Sequence, residues 1–253
     1  MNAMILSDIH RNPLPTEGGV SNITETMPSA PIVVCGEELA GLACGALWRE
    51  SDRLLIVADL HFEKGSSFAR RGQMLPPYDT AATLAALSVL VFGYDPKTVV
   101  ALGDSFHDND GPNRLSSYDL SAIRALQRGR DWIWIAGNHD DDLPPQVGGD
   151  RTDSLEFGPL ALRHEPQLER GQVGEIAGHF HPAARVVGRS GSARRRCFAT
   201  DGRRLIMPAF GAYAGGLNIL DPVVASLFTA PLVAFVLGGK GVYKVHRSRL
   251  RTD

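Results

Sequence analysis

The sequence RLLIVADLH, residues 53–61, contains a continuous apolar run that ends in a carboxylate and an imidazole. Such an uninterrupted run is typical of a strand that is buried on both faces. In sheets of buried strands, the side chains that form sites collect beyond the carboxyl ends of the strands. Asp59 and His61 stand at such an end, and they are a plausible beginning for a metal site.

Other apolar runs of the chain end in the same way. TVVALG (98–103) leads into an aspartate, DWIWIAG (131–137) leads into Asn-His-Asp, and a later run ends in Gly-His-Phe-His. A glycine directly before three of these clusters lets the backbone turn sharply and approach a ligand closely. A lone histidine after GPLALR (158–163) is a fifth candidate. The candidate metal ligands are Asp59, His61, Asp104, Asn138, His164, His179 and His181.

Strands and helices alternate in the first half of the chain, and strands dominate the second half. The pattern predicts strands at 53–58, 98–103 and 131–137, with helices at 79–93 and 116–129 between them. The later strands are predicted at 155–163, 173–178, 184–188, 194–198, 203–207, 216–220, 232–237 and 241–246, with a short helix at 221–228. This order favours a four-layer type of α/β sandwich with two facing mixed sheets.

Composition places few limits on function. Apolar residues at 43%, charged residues at 21% and a formal net charge of −2 are ordinary for a globular protein, and they neither indicate nor exclude a nucleic-acid partner. We expect a lead-in rich in Pro, Gly, Ser and Thr at 1–30, followed by one domain at 31–253. The apolar segment 223–239 is interrupted by Pro231 and is shorter than the roughly 20 residues that a bilayer needs. Three scattered cysteines and no evident leader predict a cytoplasmic protein without a membrane partner.

The candidate ligands predict a pair of metal ions. Carboxylate, amide oxygen and imidazole without thiolate suit Mn, Fe, Zn or Mg. Seven such side chains are too many for one ion and about the right number for two. Two ions about 3.5–4 Å apart are a recognised device for phosphoryl transfer.

The ordered motifs DxH, GD, GNHD, a lone His and GHxH, over residues 59–181, resemble those of the calcineurin-like metallophosphoesterases. The resemblance implies a first metal ion on Asp59, His61, Asp104 and His181, and a second on Asp104, Asn138, His164 and His179. It further implies that Asp104 bridges the ions and that a hydroxide between them is the nucleophile. By the same resemblance, His139 is the general acid that protonates the leaving oxygen, and Asp140 orients it.

The flanks of the motifs narrow the resemblance. VADLHFEKGSSFARRG, LGDSFHD, LRHEP, GHFHPAARV and MPAFGAYAGGLNILDP are similar to the bacterial ligase-associated DNA-damage-response phosphoesterases. That family implies a phosphodiesterase or endonuclease that requires two divalent ions, typically Mn, acts in DNA repair and is linked with a DNA ligase and a helicase. Two alternatives stay open: hydrolysis of a small nucleotide or cyclic-nucleotide diester, and a non-catalytic scaffold.

Several basic residues are candidates for holding the substrate. Arg70, Arg71 and Arg163 each stand near a ligand motif, where an arginine can hold a phosphate through two parallel hydrogen bonds. An ion pair within the protein is the alternative for each of them. His107, three residues after Asp104, either contacts substrate or belongs to a supporting loop.

Two further patterns need separate interpretation. Six arginines within residues 189–204 predict either a strip that attracts a nucleic-acid backbone or a solvated hairpin, and the hairpin is the more frequent arrangement. Asp8 and His10 repeat the DxH pattern, but Pro- and Gly-rich sequence follows them and no partner motifs remain to complete a second site. We expect them to take no part in metal binding.

Overall fold

A computed structural model describes residues 27–139, 143–167, 174–188 and 191–253 of the chain. The described helices are α1 (Lys64–Arg70), α2 (Asp79–Tyr94), α3 (Gly111–Arg114), α4 (Ser117–Gln127) and α5 (Pro222–Ala225). The first eight strands are β1 (Ser29–Val34), β2 (Glu37–Leu42), β3 (Leu47–Arg49), β4 (Leu54–Ala58), β5 (Thr98–Leu102), β6 (Asp131–Ile135), β7 (Asp150–Thr152) and β8 (Ser154–Phe157). The remaining strands are β9 (Leu160–Arg163), β10 (Gly174–Ala177), β11 (Ala183–Gly188), β12 (Gly191–Thr200), β13 (Arg204–Ile206), β14 (Val233–Gly238), β15 (Gly241–His246) and β16 (Leu250–Arg251).

The strands form two mixed sheets. The first has seven strands in the order β1-β2-β3-β4-β5-β6-β7, with β4 to β7 parallel and β1 to β4 antiparallel. The second has nine strands, and its main path runs β15-β14-β12-β13-β10-β9-β8. In this sheet β10 is parallel to both β9 and β13, whereas β11 branches from β12 and β16 pairs with β11.

The sheets face each other across an apolar core. Ile56 and Leu102 of the first sheet belong to the same buried cluster as Leu162, Ile176 and Phe198 of the second. A second cluster packs α2 and α4 against the outer face of the first sheet, and a third covers the outer face of the second sheet beside α5. This arrangement confirms the predicted α/β sandwich with two facing mixed sheets.

The predicted strands 53–58, 98–103 and 131–137 are confirmed, as are the helices 79–93 and 116–129, to within a few residues. Ser116 caps α4 by accepting a hydrogen bond from Asp119 N at 3.0 Å. Tyr78 occupies the cap position of α2, and the carboxylate of Asp79, the first residue of the helix, accepts a hydrogen bond from Gly65 N at 3.0 Å.

The second half differs from the prediction in two details. The run 155–163 is two strands, because the turn at Gly158 (φ 59°) folds it into the hairpin of β8 and β9. The run 216–220 is not a strand and makes only one bridge, between Asn218 and Ala183. The apolar segment 223–239 contains the end of α5 and all of β14. No helix among the described residues is long and apolar enough to cross a membrane.

The strand ends meet at one edge of the sandwich. Asp59 N, after β4, donates to Gly103 O after β5 at 3.3 Å. Gly178 N, after β10, donates to His164 O after β9 at 3.0 Å. His179 N donates to the Asp59 carboxylate, which joins the edge of the second sheet to that of the first. The fold therefore brings together motifs that are far apart in sequence.

Candidate metal centre

The backbone at the strand ends adopts an uncommon conformation. Positive φ angles between 44° and 70° occur at five candidate ligands, namely Asp59, His61, Asp104, His179 and His181. Left-handed backbone is uncommon for residues other than glycine, and such strain concentrates at functional sites. Here it turns each chain away from its strand so that the side chains converge.

The first group of ligands is Asp59, His61 and His181. His61 Nε2 and His181 Nε2 lie 3.1 Å apart, and His181 Nε2 lies 3.3 Å from Asp59 Oδ1. Asp59 is completely buried, and both of its carboxylate oxygens accept from His179 N, at 3.2 and 3.1 Å. The three side chains present converging atoms to a single point.

The second group is Asp104, His164 and His179. His164 Nε2 lies 3.1 Å from His179 Nδ1 and 3.4 Å from Asp104 Oδ1. His164 Nδ1 lies 3.1 Å from Leu102 O, a carbonyl that can only accept. The proton of a neutral His164 ring is therefore on Nδ1, which leaves the Nε2 lone pair facing the group.

The two groups form one centre. Asp59 Oδ1, from the first group, lies 3.7 Å from the His164 ring of the second. Asp104 follows β5, the strand next to β4 in the first sheet, and its backbone oxygen accepts a hydrogen bond from His61 N at 2.9 Å. This backbone contact holds the residues after β4 and β5 side by side.

The arrangement fits divalent cations. Two pairs of imidazole nitrogens approach to 3.1 Å, so in each pair either a proton or a cation must separate the lone pairs. Burial lowers the pKa of His61 to about 2, and the neighbouring His181 and Lys64 act in the same direction. Burial, followed by the His164 ring, also lowers the pKa of His179. Uncharged imidazoles beside buried carboxylates are the ligands that divalent cations require.

The GNHD segment lies at the same edge. Asn138 lines a cleft of about 260 Å³ together with Arg163 and His164. His139 N donates to Asp104 Oδ1 at 3.1 Å, whereas its half-exposed side chain has Nε2 at 3.9 Å from Asp104 Oδ2. Asp140 lies outside the described residues.

The four candidates for substrate binding lie in different surroundings. The His107 ring stacks on His139, with centroids 5.9 Å apart and planes at 14°, and burial followed by Lys64 lowers its pKa. Arg163 lines the cleft and lies 3.5 Å from Glu175. Arg70 is exposed and pairs with Asp110, and Arg71 is exposed. The structure thus brings His107 and Arg163 to the centre and places Arg70 in an ion pair.

The arginine run divides among different roles. The hairpin of β11 and β12 is present, with Arg194 paired to Asp253. Arg196 instead turns inward to donate to Ala209 O at 2.6 Å. Arg204 is fully buried and pairs with Glu175. Neither a continuous basic strip nor a fully solvated hairpin describes these residues.

The sequence interpretation missed two supports of the centre. The first is the Leu102 carbonyl, which fixes the His164 ring and which no side-chain pattern could indicate. The second is Lys64, whose charge acts on both His61 and His107. Its position three residues after His61 was the only available signal.

Comparisons with known proteins agree with this geometry. Residues 52–190, more than half of the chain, match the family model of the calcineurin-like phosphoesterases. Among solved structures, the Pseudomonas putida nuclease MPE is 29% identical, covers 86% of this chain and 100% of its own, and superposes with a TM-score of 0.66. The E. coli phosphoesterase Yfce is 12% identical over 76% of this chain and 98% of its own, with a TM-score of 0.39. No curated protein matches the sequence significantly.

We predict that Gly103→Ala weakens binding of one of the two ions. A Cβ at Gly103 would lie 2.4 Å from the His164 ring, and φ is +64° at this position. Because His164 must move, affinity for that ion should fall at least about tenfold, as for other residues that support metal ligands. Metal titration followed by elemental analysis measures the effect.

Gly93→Ala is the matched control, since a Cβ there meets open space on α2. It should bind both ions as the wild type does. Unchanged affinity for both ions in Gly103→Ala would contradict the placement of His164 in the centre.

Proposed function

The chain belongs to the calcineurin-like phosphoesterase family, and we propose that within this family it is a DNA-cleaving phosphodiesterase. It is a metal-dependent phosphoric ester hydrolase, with two groups of metal-binding residues in one centre. The main support for the proposal is the contact between the two groups, where Asp59 Oδ1 lies 3.7 Å from the His164 ring. This contact matters because phosphodiester cleavage uses two adjacent ions. The similarity to the Pseudomonas putida nuclease over that protein's full length supports a nucleic acid as the substrate, and DNA is the nucleic acid that we propose.

The protein's own residues would hold the ions and the reacting groups. We assign Asp59, His61 and His181 to one ion, Asn138, His164 and His179 to the other, and Asp104 to both. When bound, a pair of divalent ions supplies Lewis acidity toward the phosphoryl oxygens and lowers the pKa of water. Manganese suits this set of oxygen and nitrogen ligands.

His139 is the proposed general acid. Its backbone N–H is fixed to Asp104, and its side chain reaches solvent beside the centre, where a leaving group can be protonated. The stacked His107 ring restricts the orientation of the imidazole. Asp140 is proposed to orient the His139 imidazole.

Arg163 is the proposed contact for a phosphate of the substrate in the cleft beside Asn138 and His164. Its Nε lies 3.5 Å from Glu175 in an ion pair but makes no hydrogen bond with the described residues. Arg71 and His107 are proposed contacts on the other side of His139, and Arg70 would first have to leave Asp110. We further propose that the protein works in cytoplasmic DNA repair together with a DNA ligase and a helicase.

A metal-by-substrate panel tests the substrate. Mn, Mg, Fe and Zn are each combined with a bis-aryl phosphodiester, a monoester, cyclic nucleotides, and single- and double-stranded DNA. We expect Mn-dependent cleavage of DNA, with a KM that rises steeply with salt because several phosphates are contacted. Asp104→Ala should be inactive on every substrate. Turnover of small diesters or cyclic nucleotides alone, without salt sensitivity, would contradict DNA as the substrate.

A second prediction concerns the acid. His139→Ala should lower kcat on DNA by about 10²- to 10⁴-fold, because the departing alkoxide needs a proton. Hydrolysis of bis(p-nitrophenyl) phosphate should fall much less, since p-nitrophenolate leaves without protonation. Steady-state kinetics on both substrates measure the difference.

His246→Ala, which removes an exposed histidine of β15, is the control and should match the wild type on both substrates. An equal loss on DNA and on the aryl ester in His139→Ala would exclude His139 as the acid.

A further inference from the structure

A second depression lies beside the metal centre, and its function is unassigned. It encloses about 340 Å³ between α2 and the segment that follows β13. This volume falls at the lower end of the range for small-molecule pockets, about 300–1,000 Å³. We call it the tyrosine cavity, and its walls are Ala82, Thr83, Ala86, Arg196 and residues 210–214.

The tyrosine cavity shares a wall with the metal centre. Gly211 N donates to Asp59 O at 3.1 Å, so the same residue contacts a metal ligand and lines the cavity. A Cβ at Gly211 would lie 2.0 Å from Leu60 O, so the segment can pack here only as glycine. Ala212 N donates to Thr83 Oγ1 at 3.1 Å and fastens the segment to α2.

The charge at the tyrosine cavity is not compensated. Arg49, Arg114 and Arg204 each pair with a carboxylate, but Arg196 has no such partner among the described residues. Its N–H groups donate only to carbonyls, Ala209 O at 2.6 Å and, more weakly, Cys44 O at 3.5 Å.

A second cation stands nearby, because Lys64 Nζ donates to Tyr213 O at 3.1 Å. Residues 207–220 contain no Asp or Glu, and no carboxylate lines the cavity. A partly buried guanidinium without a counter-ion is costly, and an anionic ligand would provide the missing partner.

Tyr213 adds an aromatic surface at the rim. Its side chain is 45% exposed although its neighbours in the segment are small, and its φ is +60°. A bulky residue in the left-handed region is a strained exception, and such exceptions cluster where ligands bind. Exposed aromatic rings beside cations are the recurrent means of binding single-stranded nucleic acid, since every base can stack on them.

We propose that the tyrosine cavity binds the nucleobase next to the scissile phosphodiester, with the base stacked on Tyr213 and an adjacent phosphate held by Arg196 and Lys64. The small side chains of Ala82, Ala86 and Ala212 leave room for a flat ring. The inference rests on the proposed function, because it requires a nucleotide in the substrate. It adds to that proposal a binding site separate from the metal ligands.

Two chromogenic diesters distinguish binding of a nucleobase in the tyrosine cavity from hydrolysis at the metal centre. Thymidine 5′-(p-nitrophenyl phosphate) carries one nucleobase, whereas bis(p-nitrophenyl) phosphate carries none and has the same leaving group. The measured quantity is the ratio of kcat/KM for the thymidine ester to kcat/KM for the bis-aryl ester. This ratio should fall about tenfold in Ala86→Trp, which fills the cavity, and in Tyr213→Ala, which removes the stacking surface.

Ala85→Trp is the matched control. Ala85 is exposed on the same helix but does not line the cavity, so its variant should keep the wild-type ratio. An equal fall in both tryptophan variants would indicate a general effect of α2 and would overturn the proposal. An unchanged ratio in Ala86→Trp and Tyr213→Ala would overturn it as well.

The same substrates distinguish the two proposals from each other. An enzyme that hydrolyses both esters but leaves DNA uncut would contradict the proposed function. The ratio of the two kcat/KM values would still show whether the tyrosine cavity binds a nucleobase. If DNA is cut, Arg196→Gln should reduce the slope of log KM against log salt by about one, for one lost phosphate contact. An unchanged slope would contradict the proposed contact between Arg196 and a phosphate of the substrate.

Discussion

The carboxylate of Asp59 links the ends of the two sheets. It is completely buried after β4, and both of its oxygens accept from one donor, the N–H of His179, which follows β10 of the second sheet. Its own carbonyl accepts from Gly211, and its N–H donates to Gly103. A buried carboxylate needs such donors or a cation. One residue thus joins the ends of both sheets and places a negative charge where metal ions are to bind.

The sequence predicted the parts of the site that local pattern controls. Apolar runs that end in Asp, Asn or His identified the strand ends, and the parallel arrangement of β4, β5 and β6 follows from the helices between them. The left-handed backbone at Asp104 and His181 could not be predicted, because Asp and His adopt it more often than most residues but still in a small fraction of cases, and here tertiary contacts impose it. The short strands β2 and β3 were also missed, since their burial depends on pairing within the first sheet.

The partners of the arginines in residues 189–204 also could not be predicted from the sequence. Arg194 and Arg204 belong to one run of sequence, yet one pairs with the last residue of the chain and the other with Glu175 in the core. Partners so distant leave no local signal. The structure also separates Arg196 from the rest, because its guanidinium turns toward the segment after β13 instead of a carboxylate. Two different ligands of the centre adjoin the two depressions. His164 lines the cleft beside Arg163, and Asp59 O accepts from Gly211, which lines the tyrosine cavity.

We propose that the strand ends form one centre for two adjacent ions. Electron paramagnetic resonance during titration of the metal-free protein with Mn²⁺ tests this arrangement, because two ions that share a carboxylate are magnetically coupled. We expect two ions per chain, a coupled multiline spectrum at saturation and loss of that coupling in Asp104→Ala. Saturation at one ion per chain, or two ions that give only the spectrum of isolated Mn²⁺, would contradict it.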